Sequence, residues 1–145
     1  MTCPVARNGR VVIVPCGGRK TDHPDQAGRL YTGSYHAATR RAAAALTGNG
    51  TTGETLILSA KYGLVTLDRV IEPYDLRTGQ PGSVTAQLVR VQAGTLGILD
   101  AEVTVLAGRA YSSIILEVWP QAADMLAGTR GIGQQLARLA AISRR

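Results

Sequence analysis

The sequence predicts an α/β fold, a single-domain layered sandwich with a mostly parallel central sheet flanked by helices. Three observations carry that expectation. Short β-branched runs alternate with longer segments of helical period. The first run, "VVIVP" (11–15), is continuously apolar, as suits a strand buried on both faces. A length of 145 residues, 45% apolar and 18% charged, supplies one substantial core in one unit spanning 1–145. There is no repeat, low-complexity block or linker.

After the first strand, a loop bearing Gly and Asp is expected through Gly33. "SYHAATRRAAAAL" (34–46) reads as a helix, with Ser34 near its N-cap and an alanine-rich body. The turn chemistry of "TGNGTTGE" ends it, and "TLILS" (55–59) follows as the second strand. From Ser83 a helix is expected, with Val84, Leu88, Val91, Thr95, Leu96 and Leu99 on the helical period. "EVTVLAG" (102–108) is the third strand. "AYSSIILEVWP" is a helix stopping before Pro120, with Trp119 expected in the core. "GIGQQLARLAAI" closes the chain as a helix whose buried face is marked by Ile132, Leu136 and Leu139.

Composition narrows the function classes. A net charge of +6 favours phosphate-bearing partners, either a nucleotide or a nucleic acid, DNA or RNA. No apolar run is long enough to span a membrane, so no membrane partner is expected. "MTCPVARNGR" has no apolar centre of the kind a secretory signal needs, and a cytoplasmic location is the expectation. Cys3 and Cys16 are too few for a disulfide framework. No Cys or His stands at metal-ligand spacing, so neither metal nor cofactor is expected.

The strand exits hold the candidate chemistry. They read "PCGGRK" (15–20), "SAKYG" (59–63) and "AGRAY" (107–111), each with glycine and a cation. Open α/β sheets bind ligands beyond the carboxyl ends of their strands, so three such exits predict a shared anion cradle. Gly17 and Gly18 permit close backbone approach, although GxxxxGK[ST] is absent. Arg19, Lys20, Lys61 and Arg109 would hold phosphate, with Ser59 and Tyr111 beside them. Cys16 would be a nucleophile if Arg19 or Lys20 lowered its pKa; otherwise it is a small buried hydrophobe. Tyr31, Ser34 and Tyr35 surround a helix start, where an anionic group is favoured, and Tyr35 also suits a first core position. His36 reads as a surface residue, and His23 as a residue of a polar loop with no role in the site. In "RVIEPYDL" (69–76), Glu72 or Asp75 would serve as general base or stabilise positive charge on a sugar. The alternative is local pairing with Arg69 or Arg77. Phenylalanine is absent, and four of the five tyrosines fall between 31 and 74, so Tyr31, Tyr62 and Tyr74 suit ring stacking.

"VPCGGRK", "LYTGS", "LSAKYGLV", "IEPYD", "GRAY" and "GIGQQLARL", in that order, resemble a small domain of bacteria and phages. That domain is similar to the YaaA-like superfamily of DNA-associated stress proteins. It is also similar to a domain of archaeosine synthase, which acts on a deazaguanine base in tRNA. The site motif of the latter implies roles for Cys16, Lys20, Tyr31 and Ser34. His36 stands two residues after the serine where that motif has three, and a loop separates Lys20 from Tyr31. The expected function is therefore a nucleobase- or nucleotide-processing enzyme, cleaving or transferring at the base or its N-glycosidic bond. The alternative is a non-catalytic DNA- or RNA-binding module. Glu72 and Asp75 favour the enzyme, because a pure backbone binder gains nothing from carboxylates beside its cations.

Overall fold

The structure is a computed structural model describing residues 9–144, so Cys3 and the terminal segment read for a secretory signal lie outside the described residues. Strand β1 (Arg10–Pro15) is the centre of a five-stranded sheet. Its parallel neighbours are β3 (Gly53–Ser59) on one side and β6 (Glu102–Val105) on the other. Both faces of β1 are covered, and Val11, Val12, Ile13 and Val14 have at most 1% exposure, which explains the unbroken apolar run. The α/β layered fold with a mostly parallel sheet is as expected.

The four longer helices lie two to a face. Val12, Val14 and Ile57 pack with α2 (Ser34–Thr47) and α5 (Gly131–Ser143). Val11, Ile13, Leu56 and Leu58 pack with α3 (Ala86–Leu96) and α4 (Arg109–Val118). Ala38, Ala42 and Ala43 give α2 a small-residue face, which lets the helix sit close to the sheet. Trp119 is in the core as expected, its indole N–H donating to Ile98 O at 3.1 Å.

The structure departs from the expected elements in four places. Residues 60–62 are a hairpin turn into an antiparallel edge strand, β4 (Gly63–Thr66). Gly63 takes φ +75°, and Gln92 fills the space beside it, accepting from Leu64 N and donating to Tyr62 O at 2.8 Å each. The opposite edge is β7 (Ala123–Asp124), parallel to β6. The expected loop before Gly33 contains β2 (Asp25–Gln26) and α1 (Ala27–Leu30). β2 pairs with β5 (Val70–Ile71), and Ala27 N donates to Arg69 O at 2.7 Å.

The fourth departure concerns helix faces. Helix α3 buries Val89 and Ala93, while Leu88, Val91 and Leu99 are exposed. Val84 is buried but precedes the helix, which starts after Thr85; a period counted from Val84 therefore has the wrong phase. On α5, Leu139 is buried and Leu136 half-buried, but Ile132 is 64% exposed at the rim of a cavity. Among the described residues no helix is long and apolar enough to cross a membrane.

Candidate functional site

Strand register decides where the three exits meet. Cys16 N donates to Leu58 O at 3.1 Å and Leu106 N to Ile13 O at 2.9 Å, so Cys16, Ser59 and Gly108 share the carboxyl edge of the sheet. From β1 the chain turns to α2 on one face, and from β6 to α4 on the other. A crevice opens where neighbouring parallel strands send their connections to opposite faces. A cavity of about 350 Å³ lies there, lined by Cys16, Gly17, Tyr35, His36, Arg109 and Tyr111 among others. An adjoining cavity of about 320 Å³ shares Cys16, Gly17, Gly18 and Tyr111, and adds Lys20, Asp75, Arg77 and Thr78. Cys16 thus stands in the wall between them.

The tyrosines organise this edge. Ser59 is fully buried; its hydroxyl accepts from Lys61 N (3.2 Å) and Tyr62 N (3.0 Å) and donates to Tyr74 OH (2.8 Å). Tyr74 OH also bonds Tyr31 OH at 2.7 Å. Lys20 Nζ lies 4.4 Å from the centre of the Tyr74 ring. Tyr62 meets the Tyr74 ring edge-on at 5.7 Å. Burial pushes the Tyr31 phenol up to about 12 and raises that of Tyr74, so this chain of hydroxyls stays protonated.

Cys16 is 9% exposed, and its Sγ lies 3.3 Å from Tyr111 OH. Burial first, and the adjacent Cys16 second, raise the Tyr111 pKa, so the phenol keeps its proton, and either it or the thiol can donate across this contact. Lys20 Nζ turns to Gly18 O at 3.3 Å and to the tyrosine rings.

His36 is a correction. It is 3% exposed, not a surface residue, and its Nδ1 lies 2.9 Å from Pro15 O. Helix α2 begins at Ser34, which brings His36 inward beneath β1; the apolar Tyr35 instead reaches the rim and donates to Gln135 Oε1 at 2.6 Å. His23 is exposed as expected, paired with Asp22 at 2.9 Å.

The loop between Lys20 and Tyr31 closes on itself. The two residues form an antiparallel bridge, with Thr21 N on Leu30 O and Thr32 N on Arg19 O at 2.9 Å each. Lys20 and Tyr31 therefore sit side by side despite the residues between them.

Not every sequence candidate joins the cavities. Arg19 and Ser34 are exposed at the rim. Lys61 is exposed, its Nζ 5.3 Å from the Tyr62 ring centre, and Arg69 also stacks on Tyr62 at 5.5 Å. Glu72 and Asp75 are both exposed; Glu72 lines neither cavity and Asp75 lines the second. Tyr31 is buried at 5% exposure, and the ring faces beside the first cavity come from Tyr35 and Tyr111. Sequence reasoning missed Asp124, whose Oδ1 is buried without a partner against a further cavity shared with Gly108 and Arg109. Its signal was weak, a lone Asp in "AADM" with no strand pattern around it.

Helix starts complete the picture. α3 is capped by Thr85 Oγ1, which accepts from Leu88 N at 3.2 Å. Gly33 and Gly108 precede α2 and α4 as their N-cap residues and give no side-chain cap, and both helix starts line the first cavity. Uncapped first-turn amides beside a cavity are donors available to an anion.

The model of a family described as of unknown function, DUF6884, matches residues 11–141. No curated protein and no solved structure matches.

Proposed function

We propose that this chain, which belongs to the DUF6884 family of unknown function, is an enzyme that processes a nucleobase or nucleotide by cleavage or transfer at the base or its N-glycosidic bond. One observation carries the reading: Arg109 lines the switch-point cavity together with the starts of α2 and α4, which have no side-chain cap, and that cavity adjoins one holding Asp75. In this reading the amides of α2 and α4 and Arg109 hold the phosphate, and Tyr35 or Tyr111 flanks the base. Asp75 takes a proton from water as the water oxygen bonds to C1′; the C1′–N bond breaks, and the base nitrogen leaves with the proton that Asp75 gives up, directly or through solvent, which returns Asp75 to its carboxylate. Cys16, between the cavities, is the alternative nucleophile, with Tyr111 OH 3.3 Å from its sulfur. The cavity sizes suit one nucleotide unit at a time. The likeness of the motifs to YaaA-like and archaeosine synthase domains points the same way.

The test is a screen of modified and unmodified nucleosides, nucleotides and single-stranded oligonucleotides for base release or mass change. On any hit, Asp75→Asn should lower turnover by roughly 10²–10⁴-fold with affinity held or raised. Unchanged turnover would remove Asp75 and leave Cys16→Ser as the deciding variant. A second reading, a non-catalytic DNA- or RNA-binding module, draws on the exposed cations Arg19, Lys61 and Arg69. Tight, steeply salt-dependent oligonucleotide binding without any turnover would favour it.

A further inference from the structure

Between β5 and α3 the chain runs through residues 72–85 with neither helix nor strand. Loops of more than about 12 residues without secondary structure are uncommon in a compact domain and usually serve a function. This one is fastened at two points. Tyr74 OH bonds Ser59 at 2.8 Å and Tyr31 at 2.7 Å. Val84, buried at 6% exposure, donates its N–H to Ala60 O at 2.8 Å.

Between these fastenings the loop holds on only to itself. Arg77 N donates to Gln80 Oε1 and Gln80 N to Arg77 O, while Ser83 N donates to Gln80 O and Gly79 N to Ser83 Oγ. Among the described residues, 75–83 make no hydrogen bond or ion pair with any other part of the protein. None of them is fully buried. Gly79 at φ +96° and Gly82 at φ +85° shape the turn, and a Cβ on either would meet no atom within 4 Å. Self-contained hydrogen bonds with little burial let a segment move as a unit while the core stays folded.

Residues 75–78 nevertheless form one wall of the second cavity, which Cys16, Gly17, Gly18 and Lys20 line after β1, and Ala110 and Tyr111 line from α4. Thr78 Oγ1 is buried in this arrangement without a hydrogen-bond partner. That hydroxyl regains water when the loop lifts, so the seat holds the loop only weakly.

We propose that residues 75–83 are a lid over the second cavity. Anchored at Tyr74 and Val84, they lift as one piece on the μs–ms timescale to open the way to Cys16, Lys20 and Tyr111, and return to set Asp75 beside a bound ligand. The structure is the closed form. A ligand gripped by both lid and body binds that form better and holds it shut. The lid goes beyond the proposed reaction; only the nature of its ligand rests on that reading.

¹⁵N relaxation dispersion on the full chain without ligand reads this motion. Amides of residues 75–83, and those of Gly17, Gly18, Ala110 and Tyr111 in the same cavity, should exchange at one common rate, while Tyr74 and Val84 stay flat. Thr78→Val replaces the unsatisfied hydroxyl by a methyl group of the same shape. It should favour the closed form and cut the exchange contribution at least about fivefold. Excess nucleoside 5′-monophosphate should abolish the exchange with little change in the shifts of residues 75–83, because the closed form is already the ground state. Flat dispersion at 75–83, or order parameters below about 0.6 there with nothing exchanging beside them, would overturn the lid. So would unchanged exchange in Thr78→Val. Common exchange that the nucleotide leaves untouched would keep the lid and tell against the nucleotide reading. Nucleotide turnover with no dispersion at 75–83 would sink the lid and leave the enzyme standing.

Discussion

Ser59 answers why an apolar strand ends on a hydroxyl followed by Lys, Tyr and Gly. With no exposed surface, it satisfies the amides of Lys61 and Tyr62 and anchors Tyr74. Ser59→Ala removes the side-chain acceptor of the Lys61 and Tyr62 amides and leaves Tyr74 OH with Tyr31 OH alone, and urea denaturation should show a loss of about 1–3 kcal/mol. Titration extends the residue-scale account. His36 has its pKa lowered from 6.5 to about 4, so the stability linked to it is present above about pH 6.5 and is lost as pH falls toward 4. The loss is on the order of 3 kcal/mol over that span. Tyr31 has its pKa raised from 10.0 to about 12, so its contribution is present below pH 10 and is lost as pH rises through 12. Urea midpoints measured across both ranges should fall at each end. Of these residues, Ser59 and Tyr31 were legible in the sequence as site candidates. His36 was not, because a histidine two residues into a helix gives no sign of which way the first turn faces.

At the scale of elements, the same helix starts that build the cavity leave stability unclaimed. Gly108 has φ −68° and ψ 175°, an extended conformation that serine adopts readily, and a Cβ there meets only Gln135 Nε2 at 3.5 Å. Gly108→Ser should therefore cap α4 and raise stability by a few tenths of a kcal/mol, while weakening phosphate or nucleotide binding several-fold. Thermal melts and calorimetry on the one variant check both signs. Strands β1, β3 and β6 were readable because burial on two faces forces unbroken β-branched or leucine-rich runs. β4 was hidden because "KYG" reads as a loop, and the turn into it is bonded by Gln92, a residue 28 positions from the Leu64 amide from which it accepts. The two-residue strands β2, β5 and β7 are too short to show any period at all.

Across the whole molecule, the α/β order was enough to expect ligand chemistry at the strand exits, and parallel register brings Cys16, Ser59 and Gly108 to one edge. What strand order adds, and sequence lacks, is that β6 lies beside β1, so the crevice falls between Cys16 and Gly108. Lys61 and Arg69, on the hairpin side, are instead gathered around Tyr62. The central claim is that ligand binds in this crevice and not on that basic hairpin surface. Its most direct test is a ¹⁵N–¹H backbone titration of the full chain with a nucleoside 5′-monophosphate. The account predicts saturable shifts concentrated at Cys16–Gly18, Gly33–His36 and Gly108–Tyr111, the segments lining the first cavity. Shifts centred on Lys61, Tyr62 and Arg69 instead, growing with oligonucleotide length and vanishing with added salt, would contradict it.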